Sequence, residues 1–340
     1  MDENIPLSNS KPIDMHVHIV GNGSGGTGCW MRVTGFHRPL AWFMLKHIGL
    51  PLSALSGELD RLYVERLLEL VRTSSLGRVV ILAHEQVYDD HGSVMEGFGS
   101  MFVPNDYVLK LAREYAEFLP AVSIHPARHD ALEELDRCIA AGAVMMKCLP
   151  NCQNINCNDR RYKKFWERMA EAKLPLLAHT GGEHTVPVVR TEFSNPRILE
   201  LPLQCGVTVI AAHSGTKSGL FDPDYFSVFD EMTRHFPNLY GDNSAFNTPF
   251  RGKYVSKCLE APLRDRMIHG SDFPVPTYGR WARMRGLISR ENFKEWEKHH
   301  NILERDYQLK RALGFPEESF TRIEKLLRQV EAKVQKNRAK

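Results

Sequence analysis

Eight short apolar runs, separated by amphipathic stretches, constrain the fold of this chain more than any other feature. The runs have the length of buried strands, and the stretches between them carry apolar residues at helical spacing. The runs cover residues 13–20, 78–84, 119–125, 143–149, 175–179, 207–213, 238–243 and 266–272. An alternation of strands and helices of this kind is typical of a parallel α/β sheet.

Eight parallel strands favour a closed barrel over an open doubly wound sheet, which usually has fewer strands. A dinucleotide-binding sheet would also place a glycine-rich turn and then a helix after its first strand. Gly21, Gly23 and Gly26 fit the spacing of such a turn, but Cys-Trp-Met-Arg-Val-Thr-Gly follows them and does not predict a helix. We therefore predict a (β/α)8 TIM barrel and interpret the three glycines as part of a flexible loop.

Two long segments stand outside the regular alternation. The first, residues 21–55, is far longer than an ordinary connection between a strand and a helix, so it is a candidate wall or lid of a pocket. The second is a helical insertion and C-terminal extension over residues 274–340, after the last strand. The prediction is a single barrel domain over residues 1–340 that carries these two additions.

Charge and hydropathy argue against several classes of function. The 44 basic and 41 acidic residues are spread along the chain and leave a net charge of +3, so no broad field favours nucleic acid or membrane. No apolar run is long enough to span a bilayer, and residues 1–10 lack the order of a secretory signal. We expect a cytoplasmic protein with reduced cysteines that acts on a small molecule, with a homodimer or higher oligomer left open.

The first strand carries two histidines, His16 and His18. Because side chains alternate along a strand, Asp14 is expected to share their face, which would point to the barrel axis. The opposite, helix-packed face would carry Ile13, Met15, Val17 and Ile19. Two imidazoles at i and i+2 can bind one cation, although two polar residues that merely line a barrel would explain the pair equally well.

Four further ionisable residues stand where four other predicted strands end. They are Lys147, His179, His213 and Asp272. In a barrel, the carboxyl ends of all strands open onto one face, which is the face where catalysis occurs. A buried lysine or aspartate is costly unless it is paired or bound to a metal. The sequence therefore predicts a metal site at this face of the barrel.

This pattern resembles the amidohydrolase superfamily, which has H-x-H on strand one, lysine or glutamate on strand four, histidines on strands five and six, and aspartate on strand eight. All five strands match, over the stretch from Asp14 to Pro274. The sequence His-Gly-Ser-Asp-Phe-Pro around Asp272 is similar to the amidohydrolase-2 group of metal-dependent hydrolases. The segment that begins at Lys147 is similar to the lysine segment of dihydroorotases and other binuclear members such as phosphotriesterases.

The resemblance implies one or two divalent ions, with zinc as the metal that suits the ligands best. In the favoured binuclear arrangement, Lys147 is carboxylated by carbon dioxide and bridges both ions. The other ligands are His16, His18 and Asp272 for one ion, and His179 and His213 for the second. In the mononuclear arrangement Lys147 is unmodified, His179 joins the first set, and His213 acts as an acid or base.

The expected reaction is hydrolysis, in which a metal-activated water attacks the carbonyl of a cyclic amide, lactone or ester and Asp272 is the general base. A decarboxylase with a mononuclear site is the alternative. A catalytically silent binding protein ranks last, since no ligand of the pattern is missing. The loop residues proposed to contact the substrate are Trp30, Arg32, Glu183, His184, Asn243 and Tyr278.

Several other histidines and cysteines could be taken for functional residues, but we do not assign them to the site. His84 and His125 also end predicted strands, but at positions where the pattern needs no ligand, so we expect them to line the pocket or pack in the core. Cys148, Cys152 and Cys157 lack the paired C-x-x-C spacing of structural zinc sites. We interpret these cysteines as incidental.

Overall fold

The computed structural model of the chain describes residues 11–35 and 37–338. The segment 1–10, on which the expectation about a secretory signal depends, lies outside this description. For residues 37 and 328–338 the backbone alone is described. Among the helices of the described residues, none is long and apolar enough to cross a membrane.

Eight parallel strands form one sheet whose order follows the chain. They are β1 (Ile13–His18), β2 (Arg78–Leu82), β3 (Phe118–Val122), β4 (Met145–Cys148), β5 (Leu176–His179), β6 (Val209–Ala212), β7 (Leu239–Asp242) and β8 (Met267–Ile268). Hydrogen bonds from Met15 N to His269 O (3.2 Å) and from His18 N to Phe273 O (2.9 Å) join β1 to the residues after β8. These bonds close the sheet, and the prediction of a (β/α)8 TIM barrel is confirmed.

Helices cover the barrel between successive strands. Their bounds are α1 (His37–His47), α2 (Leu59–Arg72), α3 (Asn105–Glu114), α4 (Ala131–Ala140), α5 (Pro150–Gln153), α6 (Lys163–Glu171), α7 (Glu200–Gln204), α8 (Phe226–His235), α9 (Pro249–Gly252), α10 (Val255–Cys258), α11 (Arg280–Met284), α12 (Arg290–Glu297), α13 (Ile302–Ala312) and α14 (Glu317–Arg338). Helix α2 shows why they form: Tyr63, Leu67 and Leu70 are buried on one side, while Arg61 pairs with Glu65 on the exposed side.

The amino-terminal half of the barrel interior is apolar. Side chains such as Val80, Leu119 and Ile210 form a cluster inside it, and Ile323 and Leu327 of α14 belong to the same cluster. Helix α14 therefore closes the barrel at the end opposite to the predicted site. Because apolar side chains fill the amino-terminal half of the barrel, a polar site inside the barrel is accessible from the other end, at the carboxyl ends of the strands.

Strand β1 contains a β-bulge, so the prediction of strict alternation along it is wrong. Asp14 pairs with Val79, and Val17 pairs with Ile81, which leaves one extra residue on β1 between the two pairs. Asp14 does not join the histidines as predicted. One of its carboxylate oxygens instead accepts a hydrogen bond from the backbone N–H of His16, at 3.1 Å.

The bulge also divides the apolar residues of β1 between two sides. Ile13 and Met15, predicted to face the helices, belong to the cluster inside the barrel. Val17 and Ile19 lie in the larger core between the barrel and the helices, as predicted. The extra residue shifts the alternation of side chains by one position, so His16 and His18 still point into the barrel, above the apolar cluster.

The glycine turn after β1 is occupied by a carboxylate from the protein itself. The backbone N–H groups of Asn22 and Gly23 donate to one oxygen of Asp60, at 2.8 and 3.1 Å. A phosphate would have to displace this carboxylate, which lies at the start of α2. The chain then continues into a short strand, Trp30–Met31, paired with Met101–Phe102, and no helix follows the glycines directly. The dinucleotide-binding interpretation is therefore excluded.

Candidate metal centre

The predicted ligands from five strands lie together at the carboxyl end of the barrel. The Nε2 atom of His16 is 3.2 Å from Nε2 of His18 and 3.2 Å from Nζ of Lys147. The ring centroid of His213 lies 5.3 Å from that of His16 and 4.9 Å from that of His179. The structure therefore brings together residues that are up to 256 positions apart in the chain, the separation of His16 and Asp272.

His16, His18 and Asp272 form the tightest group of possible metal ligands. Their ligand atoms all lie within 4.8 Å of one another, and Oδ1 of Asp272 is 3.3 Å from the Nε2 atom of each histidine. Burial alone would raise the pKa of Asp272, but the neighbouring His16 and His18 outweigh it and lower that pKa below its ordinary value. Asp272 therefore presents a carboxylate to the group at neutral pH.

Asp242, at the end of β7, fixes the orientation of His16. Its Oδ2 atom is 2.7 Å from Nδ1 of His16, so the ring proton lies on Nδ1 and the lone pair of Nε2 points into the site. Burial, with a further contribution from Lys147, holds the pKa of His16 well below its ordinary value. A neutral ring with a free Nε2 is the form that binds a metal.

His213 is oriented in the same way through Ser244. Its Nδ1 atom is 2.8 Å from the hydroxyl and 3.3 Å from the carbonyl oxygen of Ser244. A carbonyl only accepts, so Nδ1 carries the proton and Nε2 is free to act as a ligand or a base. The Ser244 hydroxyl donates to Oδ1 of Asp242, at 2.6 Å, and the backbone N–H of His213 donates to the same oxygen. One carboxylate thus positions two of the predicted ligands.

His179 presents a buried nitrogen that has no hydrogen-bond partner among the described residues. Its Nδ1 atom lies 3.6 Å from Oε2 of Glu183, and its Nε2 atom makes no hydrogen bond. Burial lowers the pKa of His179 to about 4, so the ring is neutral at physiological pH. A buried polar atom without a partner is uncommon in folded proteins, and a bound cation would satisfy this one.

Lys147 lies at the centre of the site and is 1% exposed. Burial lowers the pKa of its amine below the ordinary value. The amine therefore loses its proton more readily than that of an exposed lysine. A neutral amine is the form that reacts with carbon dioxide.

Two of the predicted ligands have an unusual backbone conformation. The φ angles of His213 and Asp272 are 61° and 65°, in the left-handed region that residues other than glycine seldom adopt. Such conformations persist only where the surrounding structure holds them. His213 follows directly on the end of β6 and Asp272 lies four residues after the end of β8, so this turn of the backbone contributes to the direction of their side chains.

A cavity of about 140 Å³ opens above these residues. Its floor includes His18, Lys147 and Asp272, and much of its wall is apolar. The long segment after β1 contributes the following lining residues: Met31, Arg32, Val33, Leu40, Ala41 and Met44. The segment that the sequence marked as a candidate wall or lid is therefore part of the cavity wall.

The residues predicted to contact substrate divide into two groups. Arg32 and Glu183 line the cavity, and Trp30 supports Arg32, whose guanidinium lies 4.7 Å from the centroid of the indole. The others, His184, Asn243 and Tyr278, are not among the lining residues. The ring of His184 is bonded to Asp222 at 3.1 Å, Asn243 is fully buried, and Tyr278 is 44% exposed.

His84 lies at the cavity and His125 in the core, the two places that the sequence analysis expects for these histidines. His84 lines the cavity, and burial lowers its pKa to about 3. His125 is buried, with Nε2 at 2.9 Å from the carbonyl oxygen of Gln153. The seven cysteines, all within the described residues, are free thiols.

Asp242 and Ser244 are the site residues that the sequence analysis missed. Asp242 lies near the end of the predicted strand over residues 238–243, where the resemblance assigns no ligand. Its position at a strand end was the available signal, since four of the six predicted ligands were found in that way. Its role depends on its contacts to His16 and, through Ser244, to His213, which no local pattern in the sequence indicates.

Comparison with known protein families matches residues 13–299 to the amidohydrolase family model. The match covers most of the chain and includes every predicted ligand. The chain belongs to the amidohydrolase family. Members of this family are enzymes, hydrolases and decarboxylases among them, and they are typically metal-dependent. The His-His-Asp group of this amidohydrolase agrees with that property.

Solved structures share the fold of this amidohydrolase at low sequence identity. An uncharacterised TIM-barrel protein from Bordetella bronchiseptica is 18% identical, with a TM-score of 0.60 and coverage of 94% of this chain and 99% of the other. A putative 2-pyrone-4,6-dicarboxylic acid hydrolase from Pseudomonas putida is 14% identical, with a TM-score of 0.55 and coverage of 95% and 99%. A 2,6-dihydroxybenzoate decarboxylase is 13% identical, with a TM-score of 0.54 and coverage of 94% and 99%. None of the curated proteins matches the sequence.

Substitution of Asp242 by asparagine is expected to weaken divalent metal binding by about 10- to 100-fold. Asp242 uses both of its oxygens as acceptors, for His16 on one side and for His213 and Ser244 on the other. An amide has one acceptor oxygen, so at least one of these contacts fails. Competition between the protein and a chromogenic chelator for Zn²⁺ measures the affinity.

The matched control is Asp230→Asn, which removes a carboxylate that pairs with Arg234 on the outside of the barrel. This control should bind Zn²⁺ as the wild type does. Equal affinities for all three proteins would show that Asp242 does not orient the metal ligands.

Proposed function

We propose that this amidohydrolase is a metal-dependent hydrolase that acts on a cyclic amide, a lactone or an ester about the size of one ring. The observation that carries the proposal is the convergence of the Nε2 atoms of His16, His179 and His213 with the carboxylate of Asp272, beside a cavity that His179, His213 and Asp272 line. A cavity of about 140 Å³ is close to the ~150 Å³ that accommodates a benzene molecule in an apolar protein core.

The donor set fits a divalent cation, and zinc suits imidazole and carboxylate ligands best. His16, His18 and Asp272 would hold one ion. His179, His213 and a carboxylated Lys147 would complete the site for a second. When bound, such an ion polarises the substrate carbonyl and lowers the pKa of a water molecule towards ~7.

Asp272 is the proposed general base. It lines the cavity, and its lowered pKa keeps it ionised, so it can accept the proton of the attacking water and pass it to the leaving group. His213 offers a second acceptor at Nε2, because Ser244 occupies Nδ1. Arg32 on the cavity wall supplies a positive charge for an anionic group of the substrate.

Carboxylation of Lys147 predicts that metal content depends on bicarbonate. The neutral amine attacks carbon dioxide, a C–N bond forms as one C=O π bond opens, and one proton is released, which leaves a carbamate whose single negative charge is shared by two oxygens that can act as ligands. We expect about two Zn²⁺ ions per chain when the metal-free protein is loaded with bicarbonate, and about one without it. Elemental analysis measures the ratio.

Two variants make the bicarbonate result specific to this lysine. Lys147→Ala should bind about one ion under both conditions. Lys253→Ala, which removes a lysine that pairs with Asp224 on the surface, should behave as the wild type does. One ion per wild-type chain with and without bicarbonate would contradict the carboxylated lysine and leave the mononuclear site.

A decarboxylase is the second candidate, and one observation favours it. Arg32 lines a largely apolar cavity, with its guanidinium over the ring of Trp30, and this positive charge would suit an aromatic carboxylate. Zn²⁺-loaded protein offered lactones, cyclic amides, esters and aromatic carboxylates would separate the two reactions. Ring-opened or hydrolysed products support the hydrolase, and release of carbon dioxide supports the decarboxylase. Turnover of no compound by the metal-loaded protein would favour the silent binding protein.

A further inference from the structure

The regular hydrogen bonding of the barrel is interrupted directly before Asp272. The backbone N–H of Gly270 donates to the side chain of Asn243 at 3.3 Å, and that of Ser271 donates to Asp14 at 2.9 Å. The carbonyl oxygen of Gly270 accepts from Nζ of Lys310 at 2.5 Å. Three buried side chains therefore provide the bonds that neighbouring strands provide elsewhere in the sheet.

Lys310 differs from the other two side chains because it comes from outside the barrel. It lies on α13, is fully buried, and makes an ion pair with Asp306, at 2.6 Å, one helical turn earlier. The second oxygen of Asp306 accepts from the amide of Asn247, at 2.8 Å, in the loop after β7. Helix α13 is thereby joined to the loop after β7 and to the segment after β8.

We propose that Lys310 is a positioning residue that fixes the carbonyl of Gly270 and so holds Asp272 in its left-handed conformation. The effect of this contact on catalysis rests on the proposed function, in which Asp272 is a metal ligand and the general base. Gly270 also packs against His16, since a Cβ atom at position 270 would lie 2.7 Å from Cβ of His16. A shift of this segment would therefore disturb two ligands at once.

Two considerations support a positioning role for this pair. Buried ion pairs usually add little net stability compared with apolar residues of similar volume, so stability alone is a weak reason for burying one here. The pair also lies beyond the end of the family match at residue 299. The helical extension thus contributes a contact to the site that the matched part of the chain does not contain.

Amide hydrogen exchange in the metal-free protein tests the contact directly. In Lys310→Met we expect the amides of Ser271 and Asp272 to exchange at least about tenfold faster than in the wild type. The double variant Asp306→Asn/Lys310→Met removes both charges, so no uncompensated charge threatens folding, and it should show the same local change. Zn²⁺ affinity, from chelator competition, should fall by about tenfold in both proteins, as expected when a group that orients ligands is lost.

The matched control is Glu304→Gln on the same helix. Glu304 accepts from the backbone N–H and the hydroxyl of Ser75, so its loss should speed exchange near Ser75 and leave Asp272 and the Zn²⁺ affinity unchanged. Wild-type exchange rates at Ser271 and Asp272 in both Lys310 variants would overturn the proposal. If exchange rises but wild-type protein binds no metal, the positioning contact stands and the proposed function fails.

Discussion

The Asp272→Asn variant is expected to lose about 10²- to 10⁴-fold in kcat/KM on the substrate that the compound panel identifies. Asparagine keeps the shape of the side chain but cannot accept a proton from the attacking water. The carboxylate lines the cavity and is ionised at neutral pH, since His16 and His18 lower its pKa despite burial. The same residue is 3.3 Å from both histidines, so a weaker metal site is expected as well.

Measurement of the metal content separates the proposed role of Asp272 as a metal ligand from its proposed role as the general base. Kinetics at saturating Zn²⁺ report loss of the base, while elemental analysis after dialysis reports loss of the ligand. Asp230→Asn, which removes a partly exposed carboxylate from the outer side of α8, serves as the control and should keep wild-type kinetics. A fully loaded Asp272→Asn variant with less than a tenfold loss would exclude Asp272 as the general base.

Removal of the metal is expected to abolish activity and to lower the midpoint of thermal unfolding. At a free Zn²⁺ concentration of about 100 times the dissociation constant, binding adds about 2.7 kcal/mol to the free energy of unfolding. A chain of 340 residues has an unfolding entropy of about 0.7 kcal/mol/K, so the midpoint should fall by about 4 °C. Scanning calorimetry of chelated and reloaded protein measures this shift, and reloading should restore both properties.

Two histidine variants show whether the thermal shift arises at the proposed site. His16→Ala should have a lower midpoint that Zn²⁺ does not raise. His184→Ala should respond to Zn²⁺ as the wild type does, because that ring is exposed and bonded to Asp222. Full activity of chelated protein, or a Zn²⁺ response that survives in His16→Ala, would contradict the proposed metal site.

The strands and the convergence of their ends could be predicted because both follow from local patterns. Each apolar run is a property of a few neighbouring residues, and a parallel barrel brings all the carboxyl ends to one face whatever the loops do. Lys147, His179 and Asp272 therefore came together as expected. The positions of Lys147 and His179 follow from where their strands stop, and Asp272 lies four residues after the end of β8.

Features that depend on distant contacts could not be predicted from the sequence. The bulge in β1 became visible only through its pairing with β2, and it placed Ile13 and Met15 inside the barrel instead of against the helices. The contact between Lys310 and Gly270 joins residues 40 positions apart on different elements. Nothing near either residue in the sequence indicates that contact.

Asp242 shows the same limit within the site itself. Its two oxygens orient His16 and His213, but a carboxylate that orients ligands has no spacing pattern of its own. A position at a strand end does not indicate that role, because the role depends on where the ring nitrogens of His16 and His213 lie.

The metal content of protein purified without chelator tests the central claim most directly. Elemental analysis should find at least one divalent ion per wild-type chain, and less than a tenth of that amount in a folded His16→Ala/His18→Ala variant. Circular dichroism confirms that the variant is folded. Metal-free wild-type protein that cannot be reloaded with Zn²⁺, or a double variant that keeps its metal, would contradict the assignment of a metal centre to these residues.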